Sequence, residues 1–164
     1  MYGKILVPID GSETAARGLG EAIRIARALG SRIRLVHVVN ELIFAGGDGP
    51  GTNAGDLILS LRDGGNSLLA QAGAQVRRQG VQADSVMMES MGTSAADFIV
   101  EQARLWSAEL IVMGTHGRRG LARMTLGSDA EYVLRTASIP VLLVRNTPRR
   151  RNRLEGAAEA AMAG

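Results

Sequence analysis

The chain has no cysteine, one lysine and five aromatic residues among 164. Without cysteine there can be no disulfide and no thiolate metal site. With 46% hydrophobic residues but only 3% aromatics, the core must be built from Ala, Val, Ile, Leu and Met. The lone lysine, Lys4, opens the first apolar run. It therefore cannot serve as the lysine of a Walker-type phosphate loop. No segment reaches the ~20 apolar residues that a membrane-spanning helix needs. The N-terminus enters "KILVPID" with no apolar stretch of signal-peptide length. These absences predict a soluble, cytoplasmic protein, and its length is that of one domain.

An excess of one charge over the other is also small. The sequence pI is about 10.1, yet there are 19 basic residues against 16 acidic ones. Arg149, Arg150, Arg151 and Arg153 fall in the last sixteen positions with Glu155 and Glu159, and the remainder carries 15 basic residues against 14 acidic. A nucleic-acid binder usually holds its basic excess on a folded face. Here it is a terminal run, which reads as a solvated tail rather than a nucleic-acid arm, and no DNA partner is expected.

What is present is an alternation. "KILVPI" (4–9), "RIRLVHV" (32–38), "DSVMME" (84–89), "ELIVM" (109–113) and "IPVLLV" (139–144) read as strands. The first, fourth and fifth are almost continuously apolar, as burial on both faces demands. Helical patterns fill the gaps at 12–30, 55–80, 93–108 and 128–137. In the first, Ala15, Leu19, Ala22, Ile23, Ala26 and Leu29 form one stripe between a Ser12 N-cap and a Gly30 C-cap. In the third, Ser94 precedes Asp97 at capping-box spacing. Gly64 and Gly65 weaken the centre of the second. Alternation of this kind predicts an α/β fold with a parallel sheet, helices on both faces and right-handed crossovers. The Gly-rich 44–55 stretch follows strand 2 at the carboxyl edge, where open α/β sheets bind ligands, and its composition predicts a mobile loop. Residues 1–147 make the domain, and 148–164 a disordered Arg- and Ala-rich tail.

One stretch carries chemistry: "MGTHGRRGLARMTLGSDAEYVLR" (113–135) spaces glycines as G-x2-G-x9-G, followed by serine. Gly114 directly follows strand 4, and Gly127-Ser128 opens the last helix. Exposed amides and the positive end of a helix dipole suit a phosphate. Glycines allow backbone to approach an anion closely. Gly114 and Gly117 would shape a turn at one end of the ligand, Gly127 and Ser128 would hold the other, and Arg118, Arg119 or Arg123 could meet its charge. The same glycines could equally be ordinary turn residues and Ser128 an ordinary cap. Asp10 could likewise cap the helix that begins near Ser12.

In this order and spacing the motifs resemble the universal stress protein family, nucleotide-binding type, whose signature is G-x2-G-x9-G-[S/T]. Gly114, Gly117, Gly127 and Ser128 match it. "KILVPIDGSE", "RLVHVV" and "ASIPVLLVR" resemble the family's opening, second and closing strands, so the likeness spans about residues 1–147. It implies a Rossmann-like, adenine nucleotide alpha hydrolase-like fold: an open five-stranded parallel sheet of order 3-2-1-4-5 that binds ATP, or ADP or AMP. It places Asp10 on the ribose, with Pro8 and Ile9 beside it, and Val38 at the adenine. Met113, Thr115, His116 and Arg118 would line the nucleotide with the glycines. Asp129 departs from the family, which often has an uncharged residue there; next to a triphosphate it calls for a bridging Mg²⁺ or an outward rotamer. The resemblance also implies a homodimer through strand 139–145, acting on a protein partner the sequence does not name.

The remaining polar groups offer little catalysis. His37 alternates within a strand and reads as a satisfied sheet residue. His116 has no Ser-His-Asp or metal-ligand spacing around it. Trp106 reads as a helix residue packed on the sheet, and Met87, Met88 and Met91 as core and edge filler. The expected function is a regulatory stress module with little or no turnover. The alternatives are a slow ATPase on the same site and an interaction dimer that ignores nucleotides.

Overall fold

The computed structural model describes residues 1–40, 54–90, 92–115 and 126–145, with Ala54 described by its backbone alone. Nine elements alternate: β1 (Lys4–Pro8), α1 (Glu13–Leu29), β2 (Arg32–Asn40), α2 (Ala54–Arg78), β3 (Ala83–Ser90), α3 (Ala95–Leu105), β4 (Leu110–Gly114), α4 (Ser128–Thr136) and β5 (Val141–Val144). The expected 44–55 loop, apart from Ala54 and Gly55, and the tail after Arg145 lie outside the described residues, as does Met91.

All strand pairs are parallel and the sheet order is β3-β2-β1-β4-β5, as the alternation and the family resemblance imply. Each of β1 to β4 leads into a helix that returns antiparallel to it, so these helices begin at the carboxyl edge of the sheet. The order reverses between β1 and β4: the chain first moves outward through β2 and β3, then crosses back to the other side of β1.

The apolar stripe of α1 buries Ala15, Leu19, Ala22, Ile23 and Ala26. Ser12 caps its start by accepting from the Ala15 amide, and Gly30 closes it in the left-handed region at φ 69°, its N–H bonded to the Ala26 carbonyl. This face joins α2 over one side of the sheet, where Ile5, Val7, Ile33, Leu35, Val76 and Val112 are each fully buried. The opposite side packs Leu6, Val36, Ile111 and Met113 against Ile99, Ala103, Ala130 and Val133 of α3 and α4. Each such aliphatic side chain contributes about 1.5–3 kcal/mol on burial, so a core with almost no aromatics suffices.

Three expectations need correction. The Gly64–Gly65 pair does not interrupt α2, which runs unbroken for 25 residues. A Cβ on Gly65 would lie 2.8 Å from His37 Cδ2 and 3.0 Å from Met87 Sδ, so the glycine is there to let the helix cross β2 and β3 closely. Strand β5 is not buried on both faces: all four residues are half-buried, because it is an edge strand with a neighbour on one side only. Trp106 does pack against the sheet, 8% exposed, but it stands at the C-cap of α3. The Lys4 ammonium and the Arg32 and Arg34 guanidinium groups lie 5.8, 5.5 and 4.8 Å from its ring centre. No helix among the described residues is long and apolar enough to cross a membrane.

Candidate functional site

The carboxyl edge at the reversal between β1 and β4 gathers most of the residues singled out in the sequence. Pro8 ends β1 half-buried, and Ile9 continues its line, 6% exposed, with its amide donating to the Val36 carbonyl at 2.8 Å. His37 is 7% exposed, and its Nδ1 lies 2.7 Å from the Ile9 carbonyl oxygen. A carbonyl can only accept, so Nδ1 carries the proton. His37 is a satisfied sheet residue, as expected, and it fixes the backbone immediately before Asp10.

Asp10 is half-buried, and its Oδ1 accepts from the Ser12 amide at 2.9 Å. One carboxylate oxygen thus braces the turn into α1, a bond of the kind that the turn-acid reading calls for. Val38 on β2 is half-buried and Met113 on β4 is 6% exposed; both pack on the α3–α4 side of the sheet.

Gly114 is the last residue of β4, paired with Val144, rather than part of a turn. A Cβ there would stand 2.7 Å from the Thr14 carbonyl carbon and 2.9 Å from the Ala15 nitrogen. From the other side, a Cβ on Gly18 would meet Gly114 N and Met113 C at 3.3 Å. Gly114 is therefore required first by the first turns of α1 lying directly on β4. The partners Thr14 and Gly18 gave no signal of this in the sequence, because the contact joins residues about a hundred positions apart.

Thr115 is 3% exposed; its amide donates to the Val144 carbonyl at 3.0 Å and its carbonyl accepts from the Gly127 amide at 2.9 Å. These bonds bring the two ends of the glycine stretch together at the tip of β4. His116, Gly117 and Arg118, with Arg119 and Arg123, lie outside the described residues. Gly127 is the N-cap of α4 at φ −65°, an ordinary extended conformation, so positive φ does not explain this glycine. What it does is leave the helix start without a cap from its own N-cap residue, and among the described residues no side chain caps it. The contrast is local: Ser12 Oγ caps α1 at 3.1 Å, and Ser94 Oγ caps α3 through the Ala96 amide at 3.1 Å. Ser128 and Asp129 are exposed in the first turn of α4.

The Ser94 cap forms, but Asp97 does not complete a capping box. Its Oδ1 instead accepts from the Tyr132 hydroxyl at 2.5 Å, joining α3 to α4. That carboxylate, by hydrogen bond and then by its charge, raises the Tyr132 pKa above the ordinary tyrosine value, with Arg135 opposing. Sequence periodicity missed this pair, since a bond between two helices has no local pattern.

Among the described residues there is no group of three His, Cys, Asp or Glu that could hold a metal. A divalent cation would have to arrive on the phosphates of a ligand, with Asp129 the nearest acid in the chain to the Gly127–Ser128 helix start. The edge brings together a turn carboxylate, two apolar side chains and the start of a helix.

The profile of the Universal stress protein family matches residues 1–145. Universal stress protein MJ0531 of Methanocaldococcus jannaschii is 36% identical over 146 residues, spanning 88% of this chain and 83% of the relative. Among solved structures, a protein from the universal stress protein family of Burkholderia pseudomallei is similar with a TM-score of 0.70 and 34% identity, over 87% of this chain and 96% of its own. A universal stress protein of Archaeoglobus fulgidus in complex with dAMP gives a TM-score of 0.61 and 26% identity, over 87% and 98%.

Proposed function

The chain belongs to the universal stress protein family, and from that premise we propose that it is an adenine-nucleotide-binding regulatory module of the stress response, with little or no turnover. The observation that carries this is the start of α4: a helix N-terminus without a side-chain cap among the described residues, tied through Gly127 to the tip of β4. The first-turn amides of a helix and its dipole suit a phosphate. The A. fulgidus relative, solved with dAMP, supports an adenine nucleotide as the ligand. Asp10 would take the ribose through its carboxylate, Val38 would lie against the base with Pro8 and Ile9 beside it, and Met113 to Arg118 with Gly127 to Asp129 would surround the phosphates. ATP, with Mg²⁺ offsetting Asp129, is the nucleotide proposed. ADP or AMP would fit the same elements with less charge to balance.

The half-buried edge strand β5 supports a homodimer formed through residues 139–145, since an apolar edge left open invites pairing. Sedimentation at dimer mass is expected, and a monomer at high protein concentration removes that part of the proposal.

Equilibrium titration with ATP and Mg²⁺ tests the nucleotide reading. Saturable binding that is lost in Gly127→Asp, which puts a carboxylate at the helix start, is expected. Absence of binding at millimolar nucleotide overturns it. Phosphate release measured in the same samples separates a binding module from an ATPase; multiple turnovers abolished by Gly127→Asp would establish the enzyme.

A further inference from the structure

The start of α4 can receive an anion only if it is held at a fixed place, and beside the packing of Ala130 and Val133 the described residues show two hydrogen-bonded ties. One is the Gly127 amide on the Thr115 carbonyl. The other is the Tyr132 hydroxyl on Asp97 Oδ1. Tyr132 is the fifth residue of α4, one turn on from Ser128, and helical side chains lean back toward the N-terminus. Asp97 is in the first turn of α3, which also begins at the carboxyl edge. The bond therefore links two helix starts to each other at the edge where the ligand is proposed to bind.

We infer that Tyr132 and Asp97 are positioning residues. Their hydrogen bond holds the first turn of α4 so that the amides of Ser128, Asp129 and Ala130 meet the phosphate of a nucleotide together. This rests on the nucleotide reading above and deepens it. Neither side chain need touch the ligand. The pair acts on the phosphate end alone, because Asp10 and Val38, the proposed ribose and base contacts, stand in the turn after β1 and on β2.

The experiment compares the full wild-type chain with Tyr132→Phe, which keeps the ring and loses only the hydroxyl, and with Asp97→Ala. Titrations use ATP and adenosine in parallel. Affinity for ATP is expected to fall about three- to tenfold in either variant, the span that one lost hydrogen bond gives, with no further loss in the double variant. Affinity for adenosine should not move. Hydrogen exchange without nucleotide gives a second readout: the Glu131 amide, which donates to the Gly127 carbonyl in the first turn of α4, should exchange faster in Tyr132→Phe, while the amides of α1 should not. Equal losses for ATP and adenosine, or unchanged ATP affinity in Tyr132→Phe, overturn the inference. So does unchanged exchange at the Glu131 amide. If the wild-type chain binds neither ligand, the nucleotide reading fails and the phosphate role falls with it.

Discussion

Three glycines show how much a missing Cβ can mean. At Gly114 an added Cβ meets backbone, Thr14 C at 2.7 Å and Ala15 N at 2.9 Å, and backbone cannot swing aside. Gly114→Ala must push α1 off β4, and a loss of about 1–3 kcal/mol is expected from the urea midpoint. At Gly64 nothing lies within 4 Å, so Gly64→Ala should gain about 0.5–1 kcal/mol from helix propensity alone. Gly65 falls between them, because its obstacles are side chains: Met87 can move, but the His37 ring is held by its bond to Ile9. A denaturation series in which Gly64→Ala and Gly114→Ala shift the midpoint the same way would refute this account. In the sequence, Gly114 stood out by spacing, but the cause legible there was a ligand-binding turn. The close approach of α1 joins distant residues and could only be read from coordinates.

At the scale of elements, the helix starts differ in what fills them. Ser12 and Ser94 cap α1 and α3, and their signals were plain in the sequence because a cap is a local pattern. Asp97 was misread for the same reason: local spacing suggested a box, whereas the carboxylate serves α4. Gly127→Ser supplies α4 with a cap of its own. It should raise stability by a few tenths of a kcal/mol and weaken ATP binding, since the serine oxygen would compete for an amide the phosphate needs. Stronger ATP binding in that variant would contradict the proposed role of the helix start. The α3–α4 bond has its own pH signature. The folded-state pKa of Tyr132 is raised, so the stability it contributes is fully present below the unfolded tyrosine value near 10.0 and is lost as pH rises through the higher folded value. Urea midpoints of wild type and Tyr132→Phe should therefore differ at neutral pH and converge in alkali; a constant difference would rule the linkage out.

At the scale of the whole molecule, the order β3-β2-β1-β4-β5 is what strand–helix alternation and the family's motifs imply together, and it was the most legible feature of the chain. The period of the apolar residues fixes element type, and right-handed crossovers limit the topologies. The division of the core was less legible, since the near-continuous apolar strands do not show which helix covers which face. Coordinates place α1 and α2 over one side and α3 and α4 over the other, with Ile33 and Ile111, both fully buried, in the two separate clusters. Each cluster depends on the same five strands, so neither face can open while the sheet survives intact. Unfolding should accordingly be one cooperative transition by fluorescence of Trp106 on one face and by circular dichroism of all helices. Ile33→Val and Ile111→Val should each cost about 0.5–1.5 kcal/mol. The double variant should lose their sum to within about 0.5 kcal/mol, because the two side chains share no packing partner across the sheet. Two separate transitions would mean that the faces fold as independent layers and that the sheet does not bind them into one unit, whereas a strongly non-additive pair would mean that the two side chains are coupled through the sheet.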